Sequence, residues 1–125
     1  MSRTHEFTFS IAYADTDAGG IVYHGRYIEI AERARMDWLR GRVRVGDDLG
    51  FVVRELSIKY MRPVQLGERV IVRSRVVEVG AASMAIEQQF MRGDELCATL
   101  NITVAYIGSD MRPKRIPAEL IESLE

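Results

Sequence analysis

The sequence predicts an α+β fold: one long helix lying against a mostly antiparallel sheet of about five strands. Three observations carry this. Only one stretch, beginning near Arg26, has long helical periodicity. The chain after residue 50 is dominated by alternating or β-branched segments. Short glycine-containing turns separate those segments, so successive late strands read as hairpin neighbours and the sheet as antiparallel.

The first strand spans residues 6–13, with Phe7, Phe9, Ile11 and Tyr13 on one face and Glu6, Thr8, Ser10 and Ala12 on the other. It feeds a polar turn, Asp15–Gly20, where Gly19 and Gly20 permit backbone angles that other residues resist. The helix follows. At 100° per residue, Tyr27, Ile28, Ile30, Ala31, Ala34, Trp38 and Leu39 share one half of the wheel, and His24 projects onto the same side. Arg26, Glu29, Glu32, Arg33, Asp37 and Arg40 occupy the other half, and Gly41 is placed to cap the C-terminus. Arg35 lies within the apolar half, so it must snorkel or pair with an acid, for which Glu29 and Glu55 are candidates. Residues 42–50 form a connector in which Asp47-Asp48-Leu49 can make one helical turn.

Strands are expected at 51–61, 69–79, 82–92 and 95–107, with Pro63 ending or demoting the first. Met84, Ile86 and Phe90 share one face of their strand. Leu96, Ala98, Leu100, Ile102, Val104 and Tyr106 share one face of the last. The order is β-α-β-β-β-β, followed by a short amphipathic tail. One helix under so broad a sheet leaves apolar area and strand edges uncovered, which predicts a homodimer or a dimer of dimers.

Composition limits the function classes. With 17 basic and 18 acidic residues the formal net charge is −1, so no bulk field favours nucleic acid or an anionic membrane. Cys97 is the sole cysteine, which rules out an intrachain disulfide and fits a reducing, cytoplasmic compartment. No stretch reaches the length of a signal peptide core or membrane span, so no membrane insertion is expected. The 125 residues are read as a single domain, 1–125, large enough to bury its own core.

Asp15-Thr16-Asp17 is the chemical centre of the chain. A calcium loop requires a third acid where Gly19 stands and a glutamate where Arg26 stands. A phosphatase-type Asp-x-Asp-x-Thr requires a threonine where Ala18 stands and a βαβ context that is missing. An isolated pair of this kind also reads simply as a turn whose carboxylates cap backbone amides.

The longer pattern is more specific. Tyr13-x-Asp15-Thr16-Asp17-Ala18-Gly19-Gly20-Ile21-Val22-Tyr23-His24-x-x-Tyr27, followed by Glu32-Arg33-Ala34-Arg35, resembles the signature of hot-dog-fold acyl-CoA thioesterases. It is most similar to the 4-hydroxybenzoyl-CoA thioesterase-like group, in the branch associated with the Tol-Pal cell-envelope system. The resemblance extends to Pro63 and to Arg112-Pro113. It implies a hot-dog fold, in which a long central helix is wrapped by a curved antiparallel sheet, and hydrolysis of a thioester to free acid and CoA.

By that resemblance Asp17 is the catalytic carboxylate, acting as nucleophile or as general base on water, buried beside the carbonyl site. The backbone N–H of His24 at the helix start is the oxyanion donor, with Gly25 next to it. The His24 side chain can orient Asp17, bind water or protonate the leaving thiolate. Tyr13, Tyr23 and Tyr27 are pocket or core residues, and Asp15 is a turn residue. Arg62, Arg69 and Arg73 are candidates for the CoA phosphates. His5 reads as a solvated strand residue and Cys97 as packing. No metal or redox cofactor is implied, since CoA belongs to the substrate, and acyl-carrier protein is a further possible substrate carrier. Two rival functions remain: a hot-dog hydratase or dehydratase on acyl-CoA or acyl-carrier protein, and a non-catalytic acyl-binding or envelope-interaction protein.

Overall fold

The computed structural model describes residues 3–39 and 50–124. Strand β1 (His5–Ser10) leads through a single 3-10 turn at Tyr13–Asp15 to helix α1 (Arg26–Trp38). Strands β2 (Gly50–Tyr60), β3 (Arg69–Val79), β4 (Ser83–Arg92) and β5 (Glu95–Ile107) follow, and helix α2 (Ala118–Leu124) ends the chain. All strand pairs are antiparallel, in the order β1-β3-β4-β5-β2. The Gly41 cap, Arg40 and the helical turn expected at Asp47-Asp48-Leu49 lie outside the described residues.

The alternation along β3, β4 and β5 sends Val70, Val72, Met84, Ile86, Phe90, Leu100, Ile102 and Tyr106 to the inner face, where each is buried. Helix α1 lies on that face with Tyr27, Ile30, Ala31, Ala34 and Trp38 turned inward. Each large side chain so buried contributes about 1.5–3 kcal/mol. Ala31 and Ala34 have no solvent exposure at all; their small size lets the helix backbone approach the sheet. Helix α2 adds Leu120 and Leu124 to the same core.

Three register shifts bend the sheet. They fall between Val53 and Glu55, between Val76 and Glu78, and opposite the Phe90/Met91 step, where Cys97 is the extra residue of β5. A bulge of this kind raises the local twist and curves a sheet around what it covers. The β4–β5 hairpin closes through Gly93 and Asp94, with Gly93 at φ 60°, the left-handed conformation that primed hairpin turns require of their first residue.

Several sequence expectations are corrected. Strand β1 ends at Ser10 and the chain turns at residue 13, so Tyr13 leaves the inner face and is 84% exposed. Ile28, at the margin of the apolar half of the wheel, is 41% exposed. Strands β2 and β3 are not hairpin neighbours: β2 lies at the far edge beside β5, and residues 61–68 cross the end of the sheet. His5 is half-buried, not solvated; its Nε2 lies 2.9 Å from Asp37 Oδ2 and its ring stacks on Trp38. Among the described residues Arg35 pairs with no acid. Its Nη1 donates to Gln88 Oε1 at 2.9 Å, while Glu29 is engaged by Arg26 on the solvent side and Glu55 is exposed on the edge strand. No helix among the described residues is long and apolar enough to cross a membrane.

Candidate active site

The loop before α1 is held by its own two carboxylates. Asp15 is 3% exposed; its Oδ2 accepts from the Ala12 N–H at 2.8 Å and its Oδ1 from Arg26 Nε at 2.7 Å. Its backbone carbonyl accepts from the Tyr23 N–H at 3.0 Å. Asp15 thus ties both ends of the motif loop to the first residue of α1, and both its oxygens are committed.

Asp17 is different. Its Oδ1 accepts from the Gly19 N–H at 2.9 Å and the Ile21 N–H at 3.4 Å, a local turn of the kind short acidic side chains make. Its Oδ2 has no hydrogen-bond donor among the described residues. Contrary to the buried carboxylate expected, Asp17 is exposed in this chain. Gly20 sits at φ 79°, where an L side chain would be strained. A Cβ on Gly19 would stand 3.3 Å from Asp17 Oδ1, close enough to press on the carboxylate.

The crossing segment between β2 and β3 docks on this loop. The Val22 N–H donates to the Val64 carbonyl at 2.8 Å and the Leu66 N–H to the Gly20 carbonyl at 2.9 Å. Docking brings the end of β2 against the start of α1 and encloses a cleft of about 370 Å³. Asp17, Ile21, His24, Tyr27, Tyr60 and Arg62 are among its lining residues, with Met61 and Pro63 at the crossing. The N-terminus of α1 carries no side-chain cap, and neither the His24 nor the Gly25 N–H has an acceptor among the described residues. Free N–H groups at a helix start carry partial positive charge and suit a developing oxyanion.

The floor of the cleft is aromatic. Tyr27 meets Tyr60 edge-on at 5.2 Å and Phe90 at 5.1 Å, and burial pushes its phenol up to about 12. Burial also raises the Tyr60 phenol. At the rim, Arg62 pairs with Glu95, and Arg92 bonds Glu68, Glu95 and the Pro63 carbonyl. The two guanidiniums, Arg92 foremost, hold the Glu95 carboxyl below its usual range.

The residues anticipated from sequence therefore divide. Asp17, His24, Tyr27 and Arg62 converge on one cleft. Gly25 sits beside it under the Tyr23 ring, which also lies over the His24 ring at 4.3 Å; Tyr23 itself is exposed and does not line the cleft. Tyr13 points to solvent away from it. Arg69 lies opposite Ser10 and Arg73 opposite Glu6, with Arg73 Nε bonded to Glu6 Oε2 at 3.0 Å; neither lines the cleft. Tyr60 and Met61 went unnoticed in the sequence because a crossing connection, not a hairpin, carries them there. The one available signal was Pro63, which marks the end of β2 just beyond them.

Residues 19–99 match the Thioesterase superfamily, more than half of the chain and the whole of the cleft beyond Asp17. This chain belongs to the thioesterase superfamily. The acyl-CoA thioesterase YbgC of Haemophilus influenzae is 35% identical to it over 127 residues, covering 96% of this chain and 93% of that protein. A probable thioesterase from Bartonella henselae superposes with a TM-score of 0.82 at 31% identity, over 92% of this chain and 100% of that one. A mutant 4-hydroxybenzoyl CoA thioesterase complexed with 4-hydroxybenzoyl CoA superposes with a TM-score of 0.90 at 15% identity, over 99% of this chain and 100% of that one. At that identity the likeness concerns the fold, and this thioesterase-superfamily chain has the α+β hot-dog fold.

Proposed function

We propose that this protein hydrolyses acyl-CoA thioesters to the free acid and CoA, with Asp17 as the catalytic carboxylate. One observation carries the reading: among the described residues Asp17 keeps one oxygen free of protein donors, in the same cleft as the uncapped start of α1. A thioester needs an attacking oxygen on one side of its carbonyl carbon and donors for the oxyanion on the other. Asp17 Oδ2 supplies the first, either by attacking carbon itself or by taking a proton from water. The N–H groups of His24 and Gly25 supply the second. The C–S bond then breaks, water provides the acid's new oxygen, and the sulfur leaves as a thiolate that needs little help from the His24 ring. The aromatic floor around Tyr27 receives the acyl group, and Arg62 at the rim is the phosphate candidate best placed for CoA.

The names of the H. influenzae and B. henselae relatives support this reading. We extend it, on the motif and the fold, to a single hot-dog domain over residues 1–125 in the cytoplasm, needing no metal or redox cofactor. From the motif's resemblance we further infer the Tol-Pal-associated branch, and we propose acyl-carrier protein as a second substrate carrier. The exposed Val52, Val53 and Tyr60 along β2, whose outer edge pairs with no described strand, support a homodimer or dimer of dimers.

Asp17→Asn tests the mechanism. It keeps size and most hydrogen bonding but removes the charge and the basic oxygen. Turnover is expected to fall by about 10² or more, in keeping with ~10²–10⁴ for a positioned acid–base group, with little change in substrate affinity. A well-folded variant with near-normal turnover would mean that Asp17 only caps its turn. Thiol release across an acyl-CoA panel, run beside an enoyl-CoA hydration assay, separates hydrolysis from the hydratase and the pure binder. Loss of the enoyl chromophore without free thiol would overturn the hydrolase.

A further inference from the structure

We propose that Tyr60 is a positioning residue of this site: by taking the His24 carbonyl, its hydroxyl fixes and polarises the His24–Gly25 peptide, making the Gly25 N–H a donor to the thioester oxygen. The proposal rests on the thioesterase reading above.

The Tyr60 O–H donates to the His24 carbonyl oxygen at 2.6 Å. In a regular helix that carbonyl would receive the N–H four residues on. Here the Ile28 N–H goes instead to the Gly25 carbonyl at 3.3 Å, and the Arg26 N–H to the Tyr23 carbonyl at 2.8 Å. Among the described residues the phenol is therefore the donor that the helix start fails to supply. The His24 carbonyl and the Gly25 N–H are two ends of one planar amide, so holding the first fixes the direction of the second. An accepted hydrogen bond also polarises the amide and strengthens its N–H as a donor, by about 10–30% per bond.

Tyr60 is itself held. Its ring meets Tyr27 edge-on. The next two residues, Met61 and Arg62, both donate their N–H to the Cys97 carbonyl, at 2.8 and 3.0 Å. Cys97 is the extra residue of the β5 bulge, so the bulge that curves the sheet also clamps the strand end carrying Tyr60. Partial burial raises the phenol's pKa, which keeps its proton in place.

Tyr60→Phe removes the hydroxyl and leaves the ring against Tyr27. The readouts are kcat, KM and the Gly25 amide resonance in a ¹H–¹⁵N spectrum, with Asp17→Asn run alongside. The expected result is a kcat lowered by roughly three- to tenfold, well short of the ~10²–10³ for losing an oxyanion donor outright. KM should stay within about twofold of normal, and the Gly25 resonance should move because its peptide carbonyl has lost a donor. A kcat within about twofold of wild type, or an unmoved Gly25 resonance, overturns the inference while leaving the thioesterase intact. A raised KM with unchanged kcat overturns it too, since the hydroxyl would then be touching substrate. A wild-type protein inactive on every acyl-CoA, with no thiol released, removes the thioesterase reading and the donor role with it.

Discussion

Replacing Gln88 with leucine would expose how much of the stability depends on one buried polar contact. Gln88 is completely buried on the inner face of β4, between Ile86 and Phe90. Its Nε2 donates to the Ala31 carbonyl and to Ser74 Oγ, each at 3.0 Å, and its Oε1 accepts from Arg35 Nη1 at 2.9 Å. One side chain thus joins α1, β3 and β4. Leucine fills nearly the same space, so the cavity contribution is small and the loss is polar. The Ala31 carbonyl keeps its helix, but Ser74 and the 7% exposed Arg35 lose their bonds to Gln88. Burial lowers the Arg35 pKa, yet a guanidinium stays charged. A hydrogen bond to a charged group contributes about 1.5–3 kcal/mol, and breaking a buried charged contact from one side costs about 3–5. Gln88→Leu is expected to cost about 3–4 kcal/mol, or about 10–15 °C in Tm for a domain of this size. Adding Arg35→Met should restore about 2 kcal/mol or more, because an apolar pair no longer strands a charge. Urea denaturation of both single variants and the double one measures this. A loss below about 1 kcal/mol in Gln88→Leu, or a double variant no better than the single, would refute the account.

Further expectations bear on packing, pH and assembly. Ala34→Phe should cost about 1–3 kcal/mol by overpacking where helix meets sheet, whereas Glu29→Phe, on the solvent face, should stay within about 0.5; equal melting temperatures would mean the helix is seated on another face. Tyr27 titrates near 10 when unfolded and about 12 when folded. Its contribution is therefore complete below pH 10 and lost as pH rises from 10 towards 12, about 1.4 kcal/mol by pH 11. Tyr27→Phe should lack that share of the alkaline loss, and identical loss in both proteins would contradict the buried phenol. Sedimentation at micromolar concentration should show a dimer or tetramer; an active monomer would mean that the β2 edge needs no partner.

Valine content between glycine turns was enough to place β3, and clean alternation to place β5, at their observed bounds. Such patterning failed where local and tertiary forces compete. Alternation carried β1 on to Tyr13, but the Asp15 carboxylate, bonded to the Ala12 N–H, folds the chain into a turn first. The partner of Arg35 was sought among acids, the usual choice for a buried cation. A neutral glutamine facing it across the core satisfies it instead, and nothing in the local sequence marks that pairing. At the site, the Asp15-to-Tyr27 motif identified Asp17, His24 and Tyr27, since one short loop and the helix it leads into carry all three. Arg69 and Arg73 were picked by charge alone, and the register of β3 against β1 puts them elsewhere.

By itself the sequence determined the α+β class, the inward face of the one long helix and the loop that bears Asp17. These follow from side-chain periods of 2 and 3.6 and from glycine's backbone freedom, all properties of neighbouring residues. Only the tertiary structure decided that β2 leaves its sequence neighbour for the far edge of the sheet. Strand order depends on which inner faces bury best against α1, a competition among segments dozens of residues apart. That crossing sets Tyr60 against the His24 carbonyl and completes the cleft that Asp17 lines.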